Sequence, residues 1–314
     1  MWYARTDKSM PGQRNRKIHL KAAEKMRSKT GILLVAVSAA AFGIMPIFAK
    51  IAYADGTSVY TLLFLRFLVG AVFMLILMAV RRMKMPSVRE IAAFFLLGAI
   101  GYTGQSFCYF SALNYTTSGT VSLLLYTYPA LVTVGSVIFL KEKLTISKII
   151  ALIIAILGAF IIVGGEFRTN IAGILLAMGA AFVYTAYILI SSVVVKEGMG
   201  VQSSAFIMTG AAVSFGVMNI FMGFKPPAGV KGYASVVAIA LVCTVLALWS
   251  FFTGMEKTGP STASLVSTLE PIVTVAASAI VLSEKLTVNV IIGGILIFAA
   301  LLITMLQKEK PEQS

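Results

Sequence analysis

Ten apolar runs, each about as long as a bilayer crossing and parted by only a few polar residues, leave this 314-residue chain little choice of fold. They fall at 31–51, 58–80, 88–113, 118–140, 146–164, 171–192, 201–224, 233–255, 261–283 and 287–306. A helix needs about 20 apolar residues to cross a hydrocarbon core of roughly 30 Å. The separators are what turns and interfaces require, among them Ala54-Asp55-Gly56-Thr57, Arg81-Arg82-Met83-Lys84 and Lys225-Pro226-Pro227. Lipid offers the backbone no hydrogen-bond partner, so each run closes its own bonds as a helix. The expected class is an all-α integral membrane protein with ten transmembrane helices.

Apolar residues make up 59% of the chain and charged residues 12%, with a mean hydropathy of +0.93, which leaves no length for a separate soluble domain. The net charge of +14 would suggest nucleic acid in a soluble protein. Here the basic residues sit in the gaps between apolar runs, where they report topology, and no nucleic-acid partner is expected. Nine Lys and Arg residues lie between Arg5 and Lys29, so 1–30 reads as a basic, disordered cytoplasmic tail, with a sharper reading as a tether to nucleic acid or anionic lipid. Met10 and Met26 allow a later start. With the N-terminus inside, 20 basic residues fall on the cytoplasmic side and five on the outer side. Both termini, including a tail at 307–314, are therefore expected in the cytoplasm, and the protein in the cell membrane.

Several chemistries are excluded early. The single histidine, His19, is in the tail, and Cys108 and Cys243 lie within apolar runs, so no metal site and no cofactor is expected. The first apolar run is too long for a secretory leader and has no cleavage site after a short core.

The chain repeats itself. A shift of 142 residues sets Thr116, Thr120, Ser122, Leu123, Pro129, Ser136, Ile138, Leu140, Glu142, Lys143, Leu144 and Thr145 on Thr258, Thr262, Ser264, Leu265, Pro271, Ser278, Ile280, Leu282, Glu284, Lys285, Leu286 and Thr287. Shared Leu and Ile would follow from composition alone. A Glu-Lys-Leu-Thr run at a fixed distance from a proline does not. Ala40-Ala41-Phe42 echoes in Ala180-Ala181-Phe182 at nearly the same shift. The unit is therefore about five helices, 31–164 and 171–306. Because five is odd, the two copies should enter the membrane from opposite sides, an architecture that in transporters places substrate between the halves near the midplane.

Phe42-Gly43 through Pro46 and Lys50, Arg66-Phe67, and Ala112-Leu113-Asn114-Tyr115-Thr116 carry a family resemblance. So do Pro129 with Glu142-Lys143, and Glu270-Pro271 with Ser283-Glu284-Lys285. In their order and duplication, over 31–306, these segments resemble the drug/metabolite transporter superfamily in its ten-helix EamA-type members. The resemblance implies transport of small organic solutes, often export of amino acids or other metabolites, without ATP and driven by a proton or solute gradient. Where such proteins often carry Trp in the sixth helix, this chain offers Phe182 and Tyr184.

Only Arg66 and Glu270 place charge well inside a run, each about 12–14 Å deep at the helical rise. Charge there costs at least about 2.5–3.5 kcal/mol and needs a partner or water. Both are candidates for substrate binding or coupling. A buried Arg66 to Glu270 pair with only a structural role is the bland alternative. Gln105, Tyr109, Trp249 and Tyr184 are further pocket candidates, with Tyr102, Tyr126, Tyr187 and Asn219 as other polar groups of interest. Pro46, Pro129 and Pro271 are candidate kinks, each removing one backbone hydrogen bond. Gly98, Gly101 and Gly104 suit close helix packing, and Lys50 is expected to snorkel to the outer interface.

The favoured function is a secondary transporter working by alternating access, with the bilayer and a small molecule as partners and a second copy of the chain left open. The alternative is a membrane-embedded enzyme. No His-Glu-x-x-His, Gly-x-Ser-x-Gly or Walker-type run supplies one with catalytic residues.

Overall fold

The computed structural model describes residues 29–139, 141, 145–166, 171–196, 198–258, 263 and 266–306. The N-terminal tail up to residue 28, the C-terminal tail from 307, and Leu140, Glu142-Lys143-Leu144, Thr262, Ser264 and Leu265 of the repeat lie outside them. Ten helical segments follow one another among the described residues: α1 (Lys29–Ala54), α2 (Val59–Val80), α3 (Val88–Ala112), α4 (Ser118–Phe139), α5 (Ile146–Glu166), α6 (Ile171–Val194), α7 (Gly200–Met222), α8 (Val230–Thr258), α9 (Leu269–Val281) and α10 (Val288–Leu306). Seven of them, α1 to α4 and α6 to α8, are long and apolar enough to cross a membrane, and α5, α9 and α10 supply shorter apolar stretches. Large apolar side chains such as Phe221, Ile280 and Phe160 stand 74–81% exposed on the outside of the bundle, a surface suited to lipid.

Local sequence explains where helices begin. The Ser58 hydroxyl accepts from the Thr61 N–H at 3.2 Å and starts α2. Ser87 and Glu90 form a reciprocal capping box at α3, and Thr117 accepts from the Thr120 N–H at 3.2 Å at α4. These caps satisfy donors that the first helical turn leaves open.

Three helices are interrupted at the expected prolines. In α1 the break falls at Ile44, two residues before Pro46, and the Ile47 N–H bonds back to Ile44 instead of Gly43. In α4 it falls at Tyr126-Thr127 before Pro129, and α9 is preceded by a turn at Thr268 before Pro271. Two further irregularities carry no proline. Leu97–Tyr102 within α3 and Leu241–Leu246 within α8 are wide π turns. In each, a threonine hydroxyl donates to the carbonyl five residues back, Thr103 to Gly98 and Thr244 to Ile239, both at 2.9 Å. The two threonines are 141 residues apart, close to the spacing of the sequence repeat. Such π turns recur where helices are shaped for function.

Packing follows the same internal order. Helix α2 lies along α7, α5 along α10, α4 against α9, α1 on α8 and α3 on α6. Each pair joins one half of the chain to the other, and advancing every number by five returns the same set. Glycines permit the closest approaches: a Cβ on Gly158 would come within 2.8 Å of the Gly293 carbonyl, and one on Gly98 would collide with the Ile207 backbone.

All three ion pairs among the described residues also cross between halves. Arg81 meets Glu256 and Lys196 meets Glu90 at one end of the bundle, while Lys50 meets Glu284 at the other. For Lys50 the structure supplies a partner that the sequence did not indicate. Its ammonium donates at 2.7 Å both to Glu284 Oε1 and to the Thr116 carbonyl, because folding delivers a carboxylate 234 residues away.

Candidate functional site

Arg66 enters the middle of the bundle from α2 and is only 4% exposed. Among the described residues no carboxylate reaches ion-pair distance of its guanidinium, and Nε has no hydrogen-bond partner. What holds it is aromatic: Cζ lies 4.9 Å from the Phe67 ring centroid and 5.3 Å from that of Phe110. A planar guanidinium suits such stacking, which contributes about 0.5–2 kcal/mol per ring when desolvated. The surroundings offset the cost of burying Arg66 only in part and leave its fork of donors open to an anion.

Glu270 sits in the first turn of α9, half-buried, where its carboxyl interacts with the Tyr126 hydroxyl of α4 and, through charge at longer range, with Arg66. Its level in the bundle is set by α1. The Thr274 hydroxyl donates to the Gly43 carbonyl at 2.8 Å, and a Cβ on Gly43 would come within 2.7 Å of the Glu270 carbonyl. Glycine at 43 is required so that the bent part of α1 can lie directly on the α9 backbone.

A series of ring contacts links the neighbourhoods of the two charges. Tyr126 and Tyr128 of α4 are 5.9 Å apart, Tyr128 and Tyr184 of α6 4.7 Å, and Tyr184 and Tyr187 5.8 Å. Tyr187 and Tyr102 of α3 follow at 5.5 Å, and Tyr102 meets Phe67 edge-on at 5.3 Å. The series starts at the hydroxyl that touches Glu270 and ends on the ring that supports Arg66. All five tyrosines are half-buried, as they would be in lining a space between helices. Beside Tyr126, a cavity of about 390 Å³ lies between α4, α9 and α10, walled by apolar groups such as Leu123, Pro271 and Ile291.

The remaining sequence candidates are distributed as follows. Tyr184 is the centre of the ring series. Gln105 is buried one turn from Tyr102 on α3, its carbonyl accepting from the Ser106 hydroxyl at 3.2 Å. Tyr109 is buried near Arg66, edge-on to Phe110 at 5.4 Å, and pairs with Ser122 of α4. Trp249, on α8, is 41% exposed and joins none of these ring pairs. Asn219 lies elsewhere, bonded to the Thr61 hydroxyl at 2.7 Å, and staples α7 to α2. The sequence marks Tyr128 as the counterpart of Glu270 before the repeated proline, but sequence reasoning missed Phe110 and Tyr53, whose hydroxyl donates to the Phe110 carbonyl at 3.3 Å. No local signal could have flagged either of them.

In chemical terms the site offers a fixed cation, a carboxyl that can carry or release a proton, and aromatic faces between them. Among the described residues no group of three or more His, Cys, Asp or Glu side chains could hold a metal ion.

Residues 29–164 and 171–306 each match the EamA-like transporter family. Among curated proteins the chain is 25% identical to the uncharacterized transporter YdfC of Bacillus subtilis, over 78% of this chain and 81% of that one. It is 23% identical to an uncharacterized transporter of Haemophilus influenzae, over 81% and 85%. A solved crystal structure shares the fold at a TM-score of 0.60 and 18% identity, covering 90% of this chain and 97% of its own. The relatives point to a membrane transporter rather than an enzyme.

Proposed function

Since the chain belongs to the EamA-like transporter family, we propose that it is a secondary transporter that exports small organic solutes through a midplane site between its two halves. The observation that carries this reading is that Arg66 and Glu270, the two charges deep in the apolar runs, are not in ion-pair contact, while ring contacts lead from the Tyr126 hydroxyl beside Glu270 to the Phe67 ring beside Arg66. A purely structural pair would be in contact. Two separated charges on a half-buried aromatic wall suit a solute with an anionic group for Arg66 and a cationic or proton-donating group for Glu270, as in an amino acid.

In this reading the chain crosses the cell membrane ten times, as two inverted five-helix units at 31–164 and 171–306 with both termini in the cytoplasm. The packing order that repeats on advancing by five, and the matched π turns of α3 and α8, support the duplication. The asymmetry of basic residues supports the orientation. Alternating access would move the halves against each other around the site. Glu270, able to exchange a proton, is the coupling residue for proton counter-transport, and solute exchange is the alternative coupling.

The test is the extracellular metabolite profile of cells producing the wild type beside cells producing Glu270→Ala at matched membrane levels. Solutes enriched outside only with the wild type support export and name the substrate class. Profiles that match an empty-vector control for both proteins overturn the export reading.

A further inference from the structure

Three segments broken near Glu270 come together again at a single carboxylate. Beyond the Pro46 break, the helix Met45–Ala54 carries Lys50. Before the Tyr126-Thr127 break, the helix Ser118–Leu125 presents its N-terminus. Beyond Pro271, α9 runs on to the turn that holds Glu284, whose N–H bonds to the Ser278 carbonyl at 3.2 Å. There Glu284 Oε1 accepts from Lys50 Nζ at 2.7 Å and from the Ser118 hydroxyl at 3.3 Å, while Oε2 accepts from the Ser118 N–H at 2.8 Å. Lys50 adds its bond to the Thr116 carbonyl at 2.7 Å. The carboxylate is thus held between an ammonium and the positive end of α4, two charge-assisted contacts that reinforce each other.

We propose that Lys50, Glu284 and the N-terminus of α4 form a latch that closes the outer end of the path to the candidate site. The latch opens when the three segments swing about their breaks. The inference rests on the transport path and the orientation proposed above. The breaks lie at the level of Glu270, where Gly43, Tyr126 and Pro271 all adjoin it. From there α1 reaches Lys50 and α4 reaches Ser118 as unbroken helix, while α9 ends at Val281 and Glu284 stands in the turn beyond it. Through α1 and α4 a change at the site has a rigid route to the closure.

Among the described residues the two ends of the bundle differ in how firmly they are tied. At the latch the side chains of Lys50 and Glu284 are 23% and 10% exposed. At the other end Arg81 and Glu256 are 32% and 53% exposed, and Lys196 and Glu90 73% and 21%. Exposed pairs are screened by water and weak. The sequence repeat does not rebuild the latch there either. The shift that sets Glu142 on Glu284 sets Pro260, which has no N–H, on Ser118, and the shift aligning the Ala-Ala-Phe runs sets Ile190 on Lys50. Among the described ion pairs the outer one is accordingly the most enclosed, and opening that end requires it to be released.

The test uses the full chain with Cys108→Ala and Cys243→Ala and a reporter thiol at Ser122→Cys. That position is 1% exposed and one helical turn inside Ser118 on α4. A membrane-impermeant maleimide is added outside cells, and Lys231→Cys, exposed in the first turn of α8, reports which side is outside. With the latch intact the reporter is labelled slowly. Glu284→Gln and Lys50→Met each raise the rate at least tenfold, and Lys50→Arg does not. A Lys50→Cys/Glu284→Cys protein bridged by a short bifunctional thiol reagent with a reducible spacer is protected until a reductant is added, which reads the latch without relying on a variant that weakens the fold. An unchanged rate in both Glu284→Gln and Lys50→Met, with Lys231→Cys reactive outside, overturns the latch. If Lys231→Cys reacts only from the inner side, the orientation is wrong. The same tenfold rise must then appear with reagent on that side, and its absence there overturns the latch as well.

Discussion

The Thr274 hydroxyl of α9 and the Gly43 carbonyl of α1, 231 residues apart, meet at 2.8 Å. The carbonyl is available because Pro46 displaces the local bonding, so that Ile47 bonds to Ile44 instead. A proline in one half thus creates an acceptor that a threonine in the other half satisfies. Thr274→Val keeps the shape and removes the donor. It is expected to lower stability by about 1 kcal/mol, the usual worth of a hydrogen bond, read as a fall in the detergent-solubilised melting temperature. Gly43→Val, which collides with Glu270 and Val273, should cost more and abolish transport.

Glu270 is expected to confer pH dependence on transport. Glu270→Gln keeps the size and the hydrogen bonding with Tyr126 but can neither lose nor gain a proton. Efflux of the solute identified by metabolite profiling should become flat with pH, and a proton gradient should no longer accelerate it. A pH profile that survives the substitution would assign coupling elsewhere.

Arg66 depends on planarity as well as charge. Arg66→Lys retains the cation but loses the stacking over Phe67 and Phe110 and the fork of donors. Solute affinity should drop about tenfold, equivalent to about 1.4 kcal/mol. Competition binding to purified protein measures this directly.

Tyr184 touches Tyr128 on one side and Tyr187 on the other. Ring pairs contribute about 0.5–1.5 kcal/mol beyond burial. Tyr184→Phe should therefore retain most transport and Tyr184→Leu should lose most of it. Equal losses in both would shift the role from the ring to the hydroxyl.

Gly158 and Gly293 let α5 and α10 touch through their backbones. Gly293→Leu should force the helices apart and cost about 1–3 kcal/mol, as overpacking does elsewhere. Thermal unfolding would register the loss, while the ion pairs at either end of the bundle remain formed.

Much of this could be read along the chain. Run lengths, separators and the 142-residue repeat specify helices and their duplication, because lipid leaves an apolar segment no other way to satisfy its backbone. Arg66, Glu270 and the three prolines stood out for the same reason: each is costly in an apolar run, so its position reports something beyond packing. The π turns of α3 and α8 were not legible. Their sequences contain no proline, the glycines of α3 read equally well as packing contacts, and the threonine hydroxyls that accompany the turns are common in any apolar helix.

Partners were decided only by the tertiary structure. Long helices that are apolar nearly all round give no stripe to say which face meets which neighbour, so nothing along the chain links Phe110 to Arg66, Tyr126 to Glu270, or Lys50 to Glu284. The sequence by itself determined that charge sits at mid-depth, where the helices bend and that the halves are related. Which side chains surround those charges, and that the two charges stay apart, follow from the crossing of helices far apart in the chain. There, close backbone contacts at Gly43, Gly98 and Gly158 set the geometry, and no local pattern records it.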